Sequence, residues 1–211
     1  MDIVIHDLMK SFGQVTVLNS INATWEGGKI HGIIGRNGSG KTVMLKCISG
    51  LIIPDSGEIR IGTRRVTANS QASECIGGII ENPGFLPNYS AYGNLKLLAG
   101  IRNRIGKEQI VSSIERVGLD PKSRKHVGKY SMGMKQRLGI AQAIMEDPDV
   151  IILDEPMNGL DNAGVREMRE LFKSLRAQGK TIIMASHNRE DIDELCDNVY
   201  EMDAGILTKV R

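Results

Sequence analysis

The sequence predicts an α/β fold: a core of mainly parallel sheet, an antiparallel β region at the N-terminal end, and a helical insertion in the middle. Two short apolar runs, residues 150–153 and 181–185, read as strands buried on both faces, the usual composition of parallel sheets. Residues 3–25 alternate apolar and polar positions instead, the pattern of strands with one wet face. Between these regions, residues 83–128 carry helical spacing and no strong strand pattern.

Taken in order, residues 15–18 with Ile21 and Trp25 read as strand, and Glu26-Gly27-Gly28-Lys29 turns the chain into an apolar strand over residues 30–34. That strand runs into a glycine-rich segment opening a helix over residues 41–49, which Gly50 stops. Pro54-Asp55-Ser56-Gly57 is a turn signal, followed by a strand over residues 58–61. The insertion starts after Pro83-Gly84 and its strand-free stretch ends at Gly128. It places Leu95, Leu97, Leu98 and Ile101 on one helix and Ile110, Val111, Ile114 and Val117 on another. Counted through the helix that follows, the helical subdomain takes in about residues 83–145. Asp161 caps a helix whose Val165, Met168, Leu171, Phe172 and Leu175 fall at helical spacing before Gly179 ends it. A short acidic helix over residues 191–196 and a hairpin turning at Asp203-Ala204-Gly205 follow. With no internal repeat or low-complexity tract, residues 1–211 are expected to form one domain.

Composition narrows the function. The chain is 41% hydrophobic and 25% charged, ordinary for a globular protein. A net charge of +2 leaves no electrostatic footprint for nucleic acid, which is not expected as a partner. No stretch approaches the roughly 20 apolar residues of a membrane span, and Met1-Asp2-Ile3-Val4-Ile5 lacks the features of a signal peptide. The chain is therefore expected to be cytoplasmic, meeting a membrane only through a partner. Cys47, Cys75 and Cys196 have no metal-binding spacing and are expected to be buried free thiols.

Gly35-Arg36-Asn37-Gly38-Ser39-Gly40-Lys41-Thr42 satisfies G-x-x-x-x-G-K-[ST] at every position, between a predicted strand and a predicted helix. The glycines let successive backbone N–H groups turn inward on phosphate oxygens, where side chains would obstruct. Lys41 reaches the β- and γ-phosphates, the Thr42 hydroxyl ligates Mg²⁺, and the helix N-terminus through Val43 faces the anion. This is the nucleotide loop of a P-loop NTPase core, and by itself it does not separate ATPases from kinases or GTPases.

Asp154 and Glu155 follow four apolar residues and precede Pro156, so two carboxylates emerge where a buried strand ends. In parallel α/β sheets that edge lines the ligand crevice. Asp154 is the expected Mg²⁺ ligand, and Glu155 the group that polarises a water attacking the γ-phosphate.

Further motifs fall in a recognisable order. Tyr130-Ser131-Met132-Gly133-Met134-Lys135-Gln136-Arg137 resembles the signature motif of ABC ATPases, the nucleotide-binding subunits of ATP-binding cassette transporters, whose usual form is L-S-G-G-Q. Asn158-Gly159-Leu160-Asp161 resembles that family's D-loop, His187 its switch histidine, and Phe12 the aromatic that stacks on adenine. The resemblance covers essentially the whole chain. It implies ATP and Mg²⁺ as cofactors and catalytic roles for Lys41, Glu155 and His187. It also implies a second cassette, whose ATP would be capped in trans by Ser131 and Gly133. The output would be transport through a separate integral membrane subunit, with the cassette peripheral on the inner face of the cell membrane.

Two positions depart from the family pattern. Glu81, in Ile79-Ile80-Glu81-Asn82-Pro83, stands where the family has a glutamine that touches Mg²⁺ and faces the membrane subunit. A carboxylate adds negative charge but remains a hard oxygen ligand. Met132 and Met134 replace a glycine and the glutamine of the signature. Both changes resemble the subgroup that exports bacitracin and lantibiotics. The other readings are a soluble ABC ATPase acting as a mechanical clamp, a P-loop kinase and a non-hydrolysing ATP-binding module. The kinase leaves the signature and His187 unexplained, and intact Asp154, Glu155 and His187 argue against loss of hydrolysis.

Overall fold

The computed structural model describes residues 1–67 and 74–211. The N-terminal alternation becomes a hairpin of β1 (Ile3–Phe12) and β2 (Val15–Trp25). β1 also pairs antiparallel with a strand over Ser56–Ile61 (β4), which pairs with the short Arg64–Arg65 (β5). The sheet order is β2-β1-β4-β5.

The second sheet is mainly parallel. Its strands are β3 (Ile30–Ile34), β6 (Ile76–Ile79), β7 (Val150–Asp154), β8 (Thr181–Ala185), β9 (Asn198–Asp203) and β10 (Ile206–Lys209). They lie in the order β10-β9-β3-β8-β7-β6, with only β10 antiparallel to its neighbour.

A helix over Lys41–Ile48 (α1) lies between the two sheets, with Met44, Leu45, Cys47 and Ile48 fully buried. It packs in one apolar cluster with Ile5 and Ile59 of the first sheet and Ile33, Ile152 and Ile183 of the second. The opposite face of the parallel sheet is covered by α4 (Met132–Ile144), α5 (Asn162–Ala177) and α6 (Arg189–Leu195), while α2 (Ala91–Arg102) and α3 (Lys107–Arg116) pack on each other and α3 on α4, all within one apolar cluster. Strand alternation divides the cores: Ile151 and Leu153 face the helices, while Val150 and Ile152 face α1. That is why both faces of β7 had to be apolar.

Capping residues set where helices begin. Ser90, Ser131, Asp161 and Asn188 each accept a backbone N–H from the first turn of α2, α4, α5 and α6. Several expectations need adjusting. The strand expected from Glu58 begins at Ser56, the last helix spans Arg189–Leu195, and β5 and β6 are additional strands. The apolar residues of α2 do not share one face: Leu95 is buried, while Leu97 is 48% and Ile101 79% exposed. Cys47 and Cys196 are buried, and desolvation pushes their thiols up to about 11 and about 12. Cys75 is only half-buried, just before edge strand β6 (Ile76–Ile79). Among the described residues no helix is long and apolar enough to cross a membrane.

Candidate active site

Parallel strands deliver their carboxyl ends to one edge. β3 leads there into the glycine loop, β7 into Asp154 and Glu155, β8 into Ser186 and His187, and β6 into Glu81. A cleft of about 560 Å³ opens at this edge, with Asn37, Lys41, Thr42, Glu81, Asp154 and Glu155 in its walls.

The loop is shaped for an anion. Gly35 has φ 148°, and a Cβ there would come within 2.2 Å of the Met202 carbonyl oxygen, so no other residue fits. The Lys41 ammonium donates to the carbonyls of Gly35 at 2.7 Å and Arg36 at 3.0 Å. Ser39 Oγ is buried with no hydrogen-bond partner. α1 starts at Gly40 without a side-chain cap, leaving its first-turn N–H groups to whatever enters the cleft. An orphaned hydroxyl and an uncapped helix start both fit phosphate oxygens.

Thr42 Oγ1 donates to Asp154 Oδ2 at 2.8 Å. Burial raises the Asp154 carboxyl above its ordinary value, the Thr42 hydrogen bond opposes this, and the charges of Glu155 and Glu81 add to it. A desolvated carboxylate beside a hydroxyl is a hard-oxygen pair of the kind Mg²⁺ takes. Among the described residues no group of three or more His, Cys, Asp or Glu side chains could hold a metal. The Glu81 carboxylate is held by Lys46 at 2.7 Å.

Glu155 sits just past the strand in the left-handed region, φ 50°, with its own N–H donating to the Ala185 carbonyl at 2.8 Å. The His187 N–H donates to Glu155 Oε1 at 3.1 Å, and His187 Nδ1 lies 2.8 Å from Oε2. An ionised carboxylate only accepts, so the Nδ1 that meets it carries the hydrogen.

Of the expected site residues, Phe12, Gly35, Arg36, Ser39, Ser131, Gly133, Asp161 and His187 are not in the cleft walls, and His187 joins the site through Glu155. Phe12 is half exposed at the end of β1, with the Lys10 ammonium 5.4 Å from its ring. Ser131 Oγ caps α4, and the Asp161 carboxylate caps α5 by accepting the Gly164 N–H at 2.8 Å. Gly133 packs against the Asn158–Asp161 segment, where a Cβ would lie 2.6 Å from the Gly159 carbonyl oxygen. Gln136 is a residue the sequence reading missed: its Nε2 donates to the carbonyls of Glu155 at 3.2 Å and Pro156 at 3.1 Å. Its position one turn into the signature helix was the available signal.

A family model described as ABC transporter matches residues 18–158. The chain belongs to this family. As a member, the cassette is an ATP-hydrolysing subunit that powers transport. It is 44% identical over 201 residues to the ABC transporter ATP-binding protein YybJ of Bacillus subtilis, covering 95% of this chain and 92% of that protein. It is 42% identical to the bacitracin transport ATP-binding protein BcrA of Enterococcus faecalis, across 96% of this chain and 67% of that protein. Identity to the lantibiotic transport ATP-binding protein SrtF of Streptococcus pyogenes is 38%, over 92% of this chain and 83% of the relative. The fold matches an ATP-binding cassette solved as a dimer bound to ADP and Pi, with a TM-score of 0.89 at 22% identity, covering 99% of both chains.

Proposed function

We propose that Glu155 is the general base of this cassette's ATPase, and that the cycle drives export through a separate integral membrane subunit at the inner face of the membrane. The observation that carries this is the two-point hold of His187 on the Glu155 carboxylate at the mouth of the glycine loop.

ATP would lie along residues Gly35 to Val43, its adenine against Phe12. Lys41 would transfer its donors from the Gly35 and Arg36 carbonyls to the β- and γ-phosphate oxygens, meeting their charge as it does so. Thr42 and Asp154, with Glu81 beside them, would hold Mg²⁺, which neutralises phosphate charge when bound. Glu155 accepts a proton from a water as its oxygen bonds the γ-phosphorus, the β–γ bridge bond breaks, and ADP and phosphate form. His187 keeps the carboxylate aimed at that water.

Two cassettes would pair head to tail, so that Ser131 and Gly133 of each close over the other's ATP while Asp161 shapes the contact between them. Support comes from Ser131 and Gly133 standing at the start of α4, where a helix has N–H groups without partners in the turn before. The membrane subunit would dock from Glu81 through the helical insertion around Tyr89–Leu98. Leu86, Tyr89 and Leu97, each 48% exposed in that region, would supply apolar contacts. Similarity to bacitracin and lantibiotic transport ATP-binding proteins supports transport as the output, and export as its direction rests on Glu81, Met132 and Met134, which resemble the exporting subgroup.

The test is to recover the chain from membranes and identify the integral protein bound to it, then to measure its ATP hydrolysis with and without Mg²⁺. A membrane protein partner and Mg²⁺-dependent phosphate release are the expected results. Recovery with ribosomes alone would instead favour a soluble clamp.

A further inference from the structure

Thr42 and Lys46 are four residues apart and share a face of α1. Thr42 Oγ1 donates to Asp154 Oδ2 at 2.8 Å, and one turn on, Lys46 Nζ donates to Glu81 Oε1 at 2.7 Å. Asp154 ends β7 and Glu81 stands just beyond β6, its parallel neighbour in the sheet. One helix face therefore holds two carboxylates that leave adjacent strands side by side.

Both carboxylates line the cleft together with Glu155. Three acids facing a triphosphate is an electrostatic problem, because each repels the ligand before any metal is bound. The Glu81 backbone adds to the unusual character of the position, with φ 63° in the left-handed region. The Lys46 ammonium, 25% exposed, stands against Glu81 from the helix that the cleft's own loop initiates.

We propose that Lys46 is a positioning residue acting through Glu81: it neutralises that carboxylate and holds it against α1, so that an acid can stand in the nucleotide cleft without repelling the triphosphate. The inference rests on the cleft being the nucleotide site. It makes Lys46 necessary because position 81 is acidic, so neutralising position 81 removes the need for it.

The test uses the full chain and a fluorescent ATP analogue, titrated in EDTA and in Mg²⁺, with K46M, K46R, E81Q and the double variant K46M/E81Q. K46M weakens metal-free binding about threefold, the scale of an exposed ion pair, and K46R restores it. On the E81Q background the K46M change leaves affinity where E81Q alone set it. Melting temperatures run alongside: a K46M destabilisation with metal-free affinity unchanged marks a purely structural ion pair and overturns the proposal. An equal effect of K46M on both backgrounds, in affinity or in melting, gives Lys46 an ordinary structural role and overturns the proposal. Failure of the parent chain to bind the analogue at all would instead bring down the nucleotide-site reading beneath it.

Discussion

His187 grips Glu155 at two points, through its backbone N–H at 3.1 Å from Oε1 and its ring Nδ1 at 2.8 Å from Oε2. The backbone contact depends only on where β8 ends, while the ring contact depends on the side chain. The two contributions can therefore be separated by substitution.

Glu155→Gln keeps the shape but removes the proton acceptor, so steady-state hydrolysis falls by roughly two to four orders of magnitude with nucleotide affinity retained. Phosphate-release assays beside binding titrations check this. Turnover at the parent rate would remove Glu155 from the chemistry.

His187→Ala leaves the backbone N–H in place and removes the ring. Hydrolysis is expected to drop about a hundredfold in kcat with little change in KM, since the ring acts on the base and not on the nucleotide. An equal loss spread into KM would point to a collapsed loop.

Lys41→Ala removes the ammonium that joins the Gly35 and Arg36 carbonyls. Nucleotide binding is expected to fall below detection in calorimetry, as the charge opposite the phosphates and a tie of the loop vanish together. Unchanged affinity would contradict the cradle.

Ser131→Ala deletes the cap of α4, where Ser131 Oγ accepts the Met134 N–H at 3.2 Å. The loss of about 1 kcal/mol should lower the melting temperature by roughly 2–4 °C in the absence of nucleotide. ATP-driven pairing should weaken as well, measured by size-exclusion chromatography on the Glu155→Gln background.

Thiol reactivity follows the burial of the cysteines. With Cys47 at about 11 and Cys196 at about 12, almost no thiolate exists near pH 8. Alkylation of the native chain at that pH should modify Cys75 first, and all three after denaturation, as mass spectrometry would reveal. Rapid labelling of Cys196 in the folded chain would contradict its buried position.

Much of this was legible because the residue types are dictated by chemistry. The glycine loop had to lie between a strand and a helix, and β3 and α1 flank it. β7 and β8 were readable since both faces of each are buried, leaving no polar positions to blur the run. β6 escaped because two of its four residues are glycine, a type depleted in strands. The hold of Lys46 on Glu81 and of Gln136 on the backbone after β7 joins segments far apart in the chain, and no local pattern encodes such pairings. The exposure of Leu97 and Ile101 was equally hidden, since apolar spacing on a helix does not say which side meets the core.

The two carbonyls that Gln136 clasps have a mechanical meaning in an assembled transporter. The helix that would lie over a neighbour's fuel is riveted to the peptide units bearing its own chain's base. If Glu155 is the base and two cassettes pair, a tilt of that helix would pull on those peptide units, and the pair would have a physical means of firing in step.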